Sequence, residues 1–374
     1  MPTGLLSGTV IGAGVFALPF VFQISGLSTG LFYLALAAYL YVFIHLFYAD
    51  VILRTPGEHR FVGYAQIYLG KLAGGLAILM SVLEMIFVLT IYLVLSLSFI
   101  NLVIAPGLAL LKILIFWILG SAAIFFSLKK IAFLEFLIAW GMTAIIVLIF
   151  VFGLAQLEKI AVADFYPNFV NLFLPLGPIL FALGGRVAIP AVIKYFKLPG
   201  IGHNQVLVKR AIIFGTLIPA LVYGLFIFGI LGLSGEVSED AVSGLIGQVP
   251  NLFLVVMGIL GILALWSSYI IIGFDVLNTL RYDLKLSQTV RILLVVGSPL
   301  LLYFLSSQDF IALVSFVGGT LLALEGIFII AMWLKVNTSL KQAPILVSKT
   351  NFGTIVIAFL VLGAALVYEI IKYL

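Results

Sequence analysis

The sequence predicts an all-α polytopic membrane protein of two inverted five-helix repeats and one extra helix. Three observations carry that expectation: an apolar composition, eleven apolar runs of membrane-spanning length, and a motif that recurs after five of those runs. Of 374 residues, 64% are hydrophobic and 9% charged, and the mean hydropathy is +1.34. A soluble domain carries roughly 25% charged residues, so lipid is the solvent this surface requires. The formal charge of +5 lies in short loops between apolar runs and indicates topology, not nucleic acid. The absence of cysteine excludes disulfides and thiolate metal sites. His45, His59 and His203 show no metal-ligand spacing.

A bilayer core of ~30 Å needs about 20 apolar residues per helix. Such runs fall at roughly 4–25, 28–53, 72–98, 106–127, 131–153, 174–194, 206–233, 251–280, 289–305, 309–334 and 351–372. The longest loops, 54–71, 154–173 and 234–250, leave no room for a soluble domain. Cytoplasmic loops of membrane proteins carry the excess of Lys and Arg. With the N-terminus inside, the inner loops hold Arg54, Arg60, Lys71, Lys129, Lys130, Lys194, Lys197, Lys209, Arg210, Arg281, Lys285, Arg291, Lys335, Lys341 and Lys349. The outer side holds Lys112, Lys159 and Lys372, and Arg186 lies within a span. This bias puts the C-terminus outside.

Span 1 contains Gly14-Val15-Phe16-Ala17-Leu18-Pro19 and span 6 contains Gly185-Arg186-Val187-Ala188-Ile189-Pro190. Both read G-x-x-A-[L/I]-P, each after a small residue, Ala13 or Gly184. An odd number of helices per period inverts the second copy, as in many secondary transporters. The repeats run 4–153 and 174–334, with 351–372 as the extra helix, in a single transport domain 1–374. Glycine and proline favour unwound backbone at the middle of each span. Such backbone is tolerated only where it is buried in protein or lines a cavity. Amide N–H groups at one half-helix end suit a carboxylate; carbonyls at the other suit an ammonium or cation. The competing reading is packing, since Gly4, Gly8 and Gly12 also form a small-xxx-small face.

Ile11-Gly12-Ala13-Gly14-Val15-Phe16-Ala17-Leu18-Pro19 resembles the helix-1 signature of the amino acid–polyamine–organocation superfamily. The Ala-Leu-Pro form looks most like the amino acid/auxin permease branch and the bacterial aromatic and hydroxy amino acid permeases. Leu53-Arg54-Thr55-Pro56-Gly57-Glu58, Tyr68-Leu69-Gly70, Phe181-Ala182-Leu183-Gly184-Gly185, Ser267-Ser268 and Gly273-Phe274-Asp275 add to the likeness in order along the chain. The resemblance implies the LeuT-type fold with broken helices 1 and 6 and an eleventh helix, and ion-coupled amino-acid uptake. It also implies substrate-binding backbone at Ile11, Gly12, Ala13, Gly14 and Val15 and from Phe181 and Ala182 to Gly184 and Gly185. Arg186 departs from the family pattern, which usually has an uncharged residue or an acid there.

Ionisable groups within spans normally face the bundle interior and pair. Arg186 is expected to pair with Glu84 or Glu325, either as a proton-exchanging pair or as a permanent structural one. Asp275 is expected to be solvated or paired with Arg281. Ser267 and Ser268 admit two readings, sodium ligation with helix-1 carbonyls or bonding back to their own helix. The coupling ion is expected to be a proton rather than sodium, with no organic cofactor. Phe16, Phe181 and Tyr92 are expected to line the cavity, most other aromatics to face lipid or the interfaces, and His45 to be packed. By analogy with the fold, loop 234–250 would form an outer lid and loop 54–71 part of an inner gate.

The expected activity is alternating-access symport of an amino acid by a monomer in the plasma membrane of a prokaryote. A pump is disfavoured, because Gly70-Lys71 lacks phosphate-loop spacing. An embedded enzyme lacks a nucleophile–base pair. Sodium coupling, a channel, and a non-transporting receptor of the same fold are the remaining alternatives.

Overall fold

The computed structural model describes residues 1–125, 131–160, 165–198, 204–282, 284–306, 308–339, 344–347 and 352–373, with backbone alone at 131–139, 159 and 373. Lys129, Lys130, His203, Lys341 and Lys349 lie outside the described residues, as does the side chain of Lys159. Eleven helical segments follow the apolar runs, and are numbered here in chain order. They are α1 (Pro2–Val10, Ala13–Ala17 and Leu18–Ser25), α2 (Leu27–Arg54), α3 (Lys71–Val103), α4 (Ala109–Ala123) and α5 (Ile131–Leu154). Then come α6 (Leu176–Leu183, Arg186–Ala188 and Ile189–Phe196), α7 (Gln205–Leu233), α8 (Asn251–Tyr282), α9 (Gln288–Leu305), α10 (Phe310–Ser339) and α11 (Phe352–Tyr373). Among the described residues eight helices are long and apolar enough to cross a membrane, and the bent pair in α1 makes a ninth.

The two breaks divide labour between glycine and proline. Helix α1 unwinds at Ile11 and Gly12 and bends by 44°. Helix α6 unwinds at Gly184 and Gly185. The prolines of the motif do not lie in these breaks. Pro19 and Pro190 each occupy the second residue of the following half-helix, where a missing N–H costs nothing. Asn204 and Asp309 start α7 and α10 by accepting bonds from backbone N–H groups of the first turn.

Glycines set the closest helix contacts, as membrane helices use small residues to bring backbones together. A Cβ on Gly153 would stand 2.3 Å from the carbonyl oxygen of Gly229, joining α5 to α7. One on Gly318 would stand 1.8 Å from that of Gly177, joining α10 to α6. Gly261 of α8 accepts the ring of Phe99 from α3 in the same way. The face Gly4-Gly8 is not such a contact: a Cβ at either position meets nothing within 4 Å. A minority of the large aromatics pack inside the bundle instead of facing lipid. Tyr48, Tyr64, Tyr223, Tyr269, Phe22, Phe47, Phe99 and Phe226 are fully buried, because a broken-helix bundle leaves irregular interior volume that large rings fill.

The inverted relation has a contact of its own. The His45 ring of α2 donates through Nδ1 to the Thr216 hydroxyl of α7 at 2.9 Å, and Thr216 in turn donates to the Ile212 carbonyl. These two positions are 171 residues apart, the offset that separates the two Gly-x-x-Ala motifs. Equivalent positions of two repeats touch only where they meet at the axis relating them. Loop 54–71 is not all loop: Phe61–Leu69 is helical and packs against α3 and α10, with Phe61 and Tyr64 buried against the Tyr48 ring of α2.

Candidate functional site

The two breaks face one another. A Cβ on Gly14 would lie 2.6 Å from the Ala182 Cα, and one on Gly185 would lie 2.6 Å from the Val10 side chain. Neither helix could approach the other so closely with larger residues. Each break strips carbonyls of their i+4 donors, and two tyrosines replace them. Tyr223 of α7 reaches both the Val10 carbonyl, at 2.6 Å, and the Ala182 carbonyl, at 2.8 Å. Tyr41 of α2 donates to the Leu180 carbonyl at 2.8 Å. Tyr223→Phe is therefore expected to cost about 1–3 kcal/mol, the penalty of leaving a buried acceptor unpaired. An unfolding midpoint equal to wild type would show that the bridge carries no stability.

Above the break in α1 lies a cavity of about 50 Å³. Its wall comprises Ile11, Gly12, Ala13, Val15 and Phe16 of α1, Tyr92 and Phe99 of α3, Met142 and Ile146 of α5, and Gly261, Ala264, Leu265 and Ser268 of α8. Phe16 stacks edge-on against Phe99 and Phe226, with centroids 5.1 and 5.6 Å apart. The wall is mostly apolar, and unwound backbone with the Tyr92 and Ser268 hydroxyls supplies its polarity. Developed ligand sites enclose ~300–1,000 Å³, so the walls must part to admit an organic solute.

Arg186 occupies the first position after the break in α6 and is shared by two carboxylates. Its Nε contacts Glu325 of α10, its Nη2 lies 3.6 Å from Glu84 of α3, Glu325 is buried, and the Arg186 and Glu84 side chains are only 10% and 15% exposed. The guanidinium also stands 4.5 Å over the ring of Phe61, from the inner-loop helix. Arginine suits this place because its flat, delocalised cation pairs at its edge and stacks on its face. Three spans and one loop helix thus converge on one side chain next to the unwound backbone.

Polar contacts close both ends. The Gln23 amide, near the end of α1, donates to the Gly235 carbonyl at 2.9 Å and accepts from the Val237 N–H at 3.0 Å. Loop 234–250 is thereby held down, with Val237, Ala241, Val242 and Leu245 buried. Within it, burial and the neighbouring Asp309 and Asp240 push the Glu239 carboxyl above its ordinary range. At the other end Asp275 faces Arg60 at 3.7 Å, and Arg60 also donates to Thr279. Asp275 is also 45% exposed, in line with the solvated alternative, while Arg281, the other expected partner, stacks on Tyr282. Asp275 points across to the inner loop because Arg60 opens the Phe61 helix directly opposite.

Asp50 forms a second buried centre. Its carboxylate accepts from Arg54 at 3.2 Å, from the Trp333 indole at 3.0 Å, and from the backbone N–H groups of Ile345 and Leu346 at 2.7 and 3.1 Å. Helix α2, helix α10 and the segment leading to α11 are joined at one carboxylate.

Of the residues singled out from sequence, Ile11, Gly12, Ala13, Val15, Phe16, Tyr92 and Ser268 line the cavity. Gly14, Ala182 and Gly185 form the contact between the broken helices, and Gly184 packs on Leu322. Phe181 packs against Gly14 and does not line the cavity, because close approach at Gly14 turns that face of α6 into helix contact. Ser267 bonds back to the Ala264 carbonyl at 3.0 Å. Tyr41, Tyr223 and Phe61 carried no sequence signal, since only the tertiary contacts distinguish them from other aromatics. Asp50 did carry one: it is a carboxylate inside the apolar run of α2.

A bundle of apolar helices whose two broken members meet beside a cavity and a buried ionic cluster defines a secondary transporter, not an enzyme. Residues 2–368 match the tryptophan/tyrosine permease family, and the chain belongs to it. Comparison with curated protein sequences finds no significant match. Among solved structures, the fold is similar to the inward-facing conformation of Mhp1, with TM-score 0.67, 14% identity, and 99% and 89% of the two chains covered. It is similar to Mhp1, a nucleobase-cation-symport-1 family transporter, closed with bromovinylhydantoin bound, with TM-score 0.62, 14% identity, and 98% and 91% covered. It is also similar to MhsT in complex with L-phenylalanine, with TM-score 0.64, 15% identity, and 100% and 97% covered. At these identities the likeness carries the fold alone, which is the LeuT-type architecture of broken helices 1 and 6 with one additional helix.

Proposed function

We propose that this permease is a proton-coupled symporter of aromatic amino acids that works by alternating access. The observation that carries the coupling is one guanidinium shared by two buried carboxylates. With both carboxylates ionised the cluster bears a net negative charge in a dry site, which is costly. One proton on Glu84 or Glu325 makes it neutral. Since Arg186 follows the break in α6 and Phe61 belongs to the inner-loop helix, loading that proton and moving the inner gate engage the same side chain. Substrate would bind at the unwound α1 backbone from Ile11 to Val15, its ring among Phe16, Tyr92 and Phe99. The family's description and the phenylalanine bound by MhsT support an aromatic substrate.

The motifs of α1 also favour a place near the amino acid/auxin permease branch. The repeats 4–153 and 174–334 would be the units that move, with 351–372 outside them. The protein would act as a monomer in a prokaryotic plasma membrane, and the loop charges favour an N-terminus inside.

Purified protein in liposomes, given labelled tryptophan, tyrosine and phenylalanine, tests this reading. Accumulation driven by an inward proton gradient, and indifferent to sodium, is the expected result. Sodium-dependent accumulation would transfer the coupling to Ser268 and the α1 carbonyls. Flux without accumulation or counter-flow would mean a channel, and binding without flux a receptor.

A further inference from the structure

The extra helix α11 has no part in the mechanism above, yet it carries the most isolated acid among the described residues. Glu369 is 1% exposed, and neither carboxyl oxygen has a hydrogen-bond partner. Its side chain lies in a socket made by a missing one: a Cβ on Gly319 of α10 would stand 2.4 Å from the Glu369 Cγ. Gly319 lies within a π-helical stretch, Val317–Leu322, the kind of local widening that occurs mostly at functional sites. The preceding residue of that stretch, Gly318, is the one pressed against the Gly177 carbonyl of α6. The acid thus docks on the segment of α10 that touches the outer half of the broken helix, and Glu325 follows one and a half turns later on α10.

Of the charged and titratable neighbours, Lys372 alone offsets its burial, and only in part. Lys372 and Tyr368 share its own helix, and Lys372 is exposed at the helix end. Among elements packed on α11, neither Leu176–Leu183 nor Val317–Leu322 contains a titratable residue. The rest of α10 offers Glu325, engaged with Arg186, and Lys335, toward the opposite end. An ionised carboxylate so placed would be buried with no hydrogen-bond partner and only the charge of an exposed lysine to offset it, which is costly in a membrane interior. Glu369 is also only about one turn from the end of α11, so water and protons lie close by.

We infer that Glu369 is a proton-binding site separate from the Arg186 cluster, and that its protonation holds α11 against the π-helical stretch of α10. Loss of the proton places a charge in that contact and loosens it. This holds whichever ion drives transport.

Infrared difference spectra of the reconstituted protein, wild type minus Glu369→Gln, test the site. A protonated carboxylic C=O band at neutral pH, shifted in heavy water and lost on alkalinisation, is expected. Absence of that band would overturn the inference. Glu369→Met serves the same comparison should the Gln variant fail to assemble. The docking is read separately. The chain has no cysteine, so Ala365→Cys, one turn away and buried, can be labelled alone with a maleimide. Its labelling should accelerate with pH more in the Glu369 background than with Glu369→Met. Equal acceleration in the two would overturn the docking role.

Discussion

Arg186→Met is expected to abolish uptake and to destabilise the protein by about 3–5 kcal/mol, the range for removing one partner of a buried ion pair. The loss leaves Glu84 and Glu325 facing each other with no cation between them, and it also removes the flat cation lying on Phe61. Restoring charge balance separates structure from transport. In Glu84→Gln/Arg186→Met/Glu325→Gln every member is neutral, so most of the stability should return while uptake stays absent. Single neutralisation tests coupling more finely. Glu325→Gln leaves one carboxylate against one guanidinium, a cluster already neutral without an extra proton. The variant should assemble, but uptake should no longer rise as the outer pH falls. Uptake measured against pH in liposomes decides this, with Glu84→Gln as the companion. Wild-type pH dependence in both variants would remove the cluster from the coupling mechanism. Substantial uptake by Arg186→Met would remove it from transport altogether.

Asp50→Ala should be comparably severe for a different reason. One carboxylate there serves four donors: a guanidinium, an indole N–H and two backbone N–H groups. Alanine leaves the indole and both backbone donors in a buried place with no acceptor, each costing about 1–3 kcal/mol. It also removes the carboxylate partner of Arg54, whose side chain is fully buried and then keeps Asn337. The expected outcome is poor assembly, or release of the 344–347 segment from α2 and α10. Asp50→Asn should recover part of this, since its amide oxygen still accepts, while its NH₂ group opposes a donor. Limited proteolysis between α10 and α11, compared across the three proteins, reads the release directly. A cleavage rate unchanged in Asp50→Ala would mean that the carboxylate does not hold the segment.

The two clusters show why sequence reading succeeded at one and failed at the other. Arg186 stood out because it interrupts a motif repeated without it in α1, and an isolated charge in a span must find a partner. Asp50 carries a weaker form of that signal: it is a carboxylate within an apolar run, but near the run's end and four residues before Arg54, where a polar boundary is expected. Burial made the difference, and burial there comes from Trp333 and Ile345, nearly 300 residues away in the chain. Asp275 illustrates the reverse case. Arg281 is its near neighbour in sequence, yet its partner comes from the loop helix that begins at Phe61.

By itself the sequence determined the solvent, the helical character of the apolar runs, and the paired breaks. Each of these follows from local causes: hydropathy over about 20 residues, and glycine and proline acting on their own turn of helix. The tertiary structure alone decided which surfaces of the broken helices meet and which line the cavity. It also decided that Tyr41 and Tyr223 would complete the freed carbonyls, and that Glu369 would be left without a hydrogen-bond partner. Those outcomes depend on how closely backbones approach at Gly14, Gly185 and Gly318, a distance set by side chains absent on one helix and present on another.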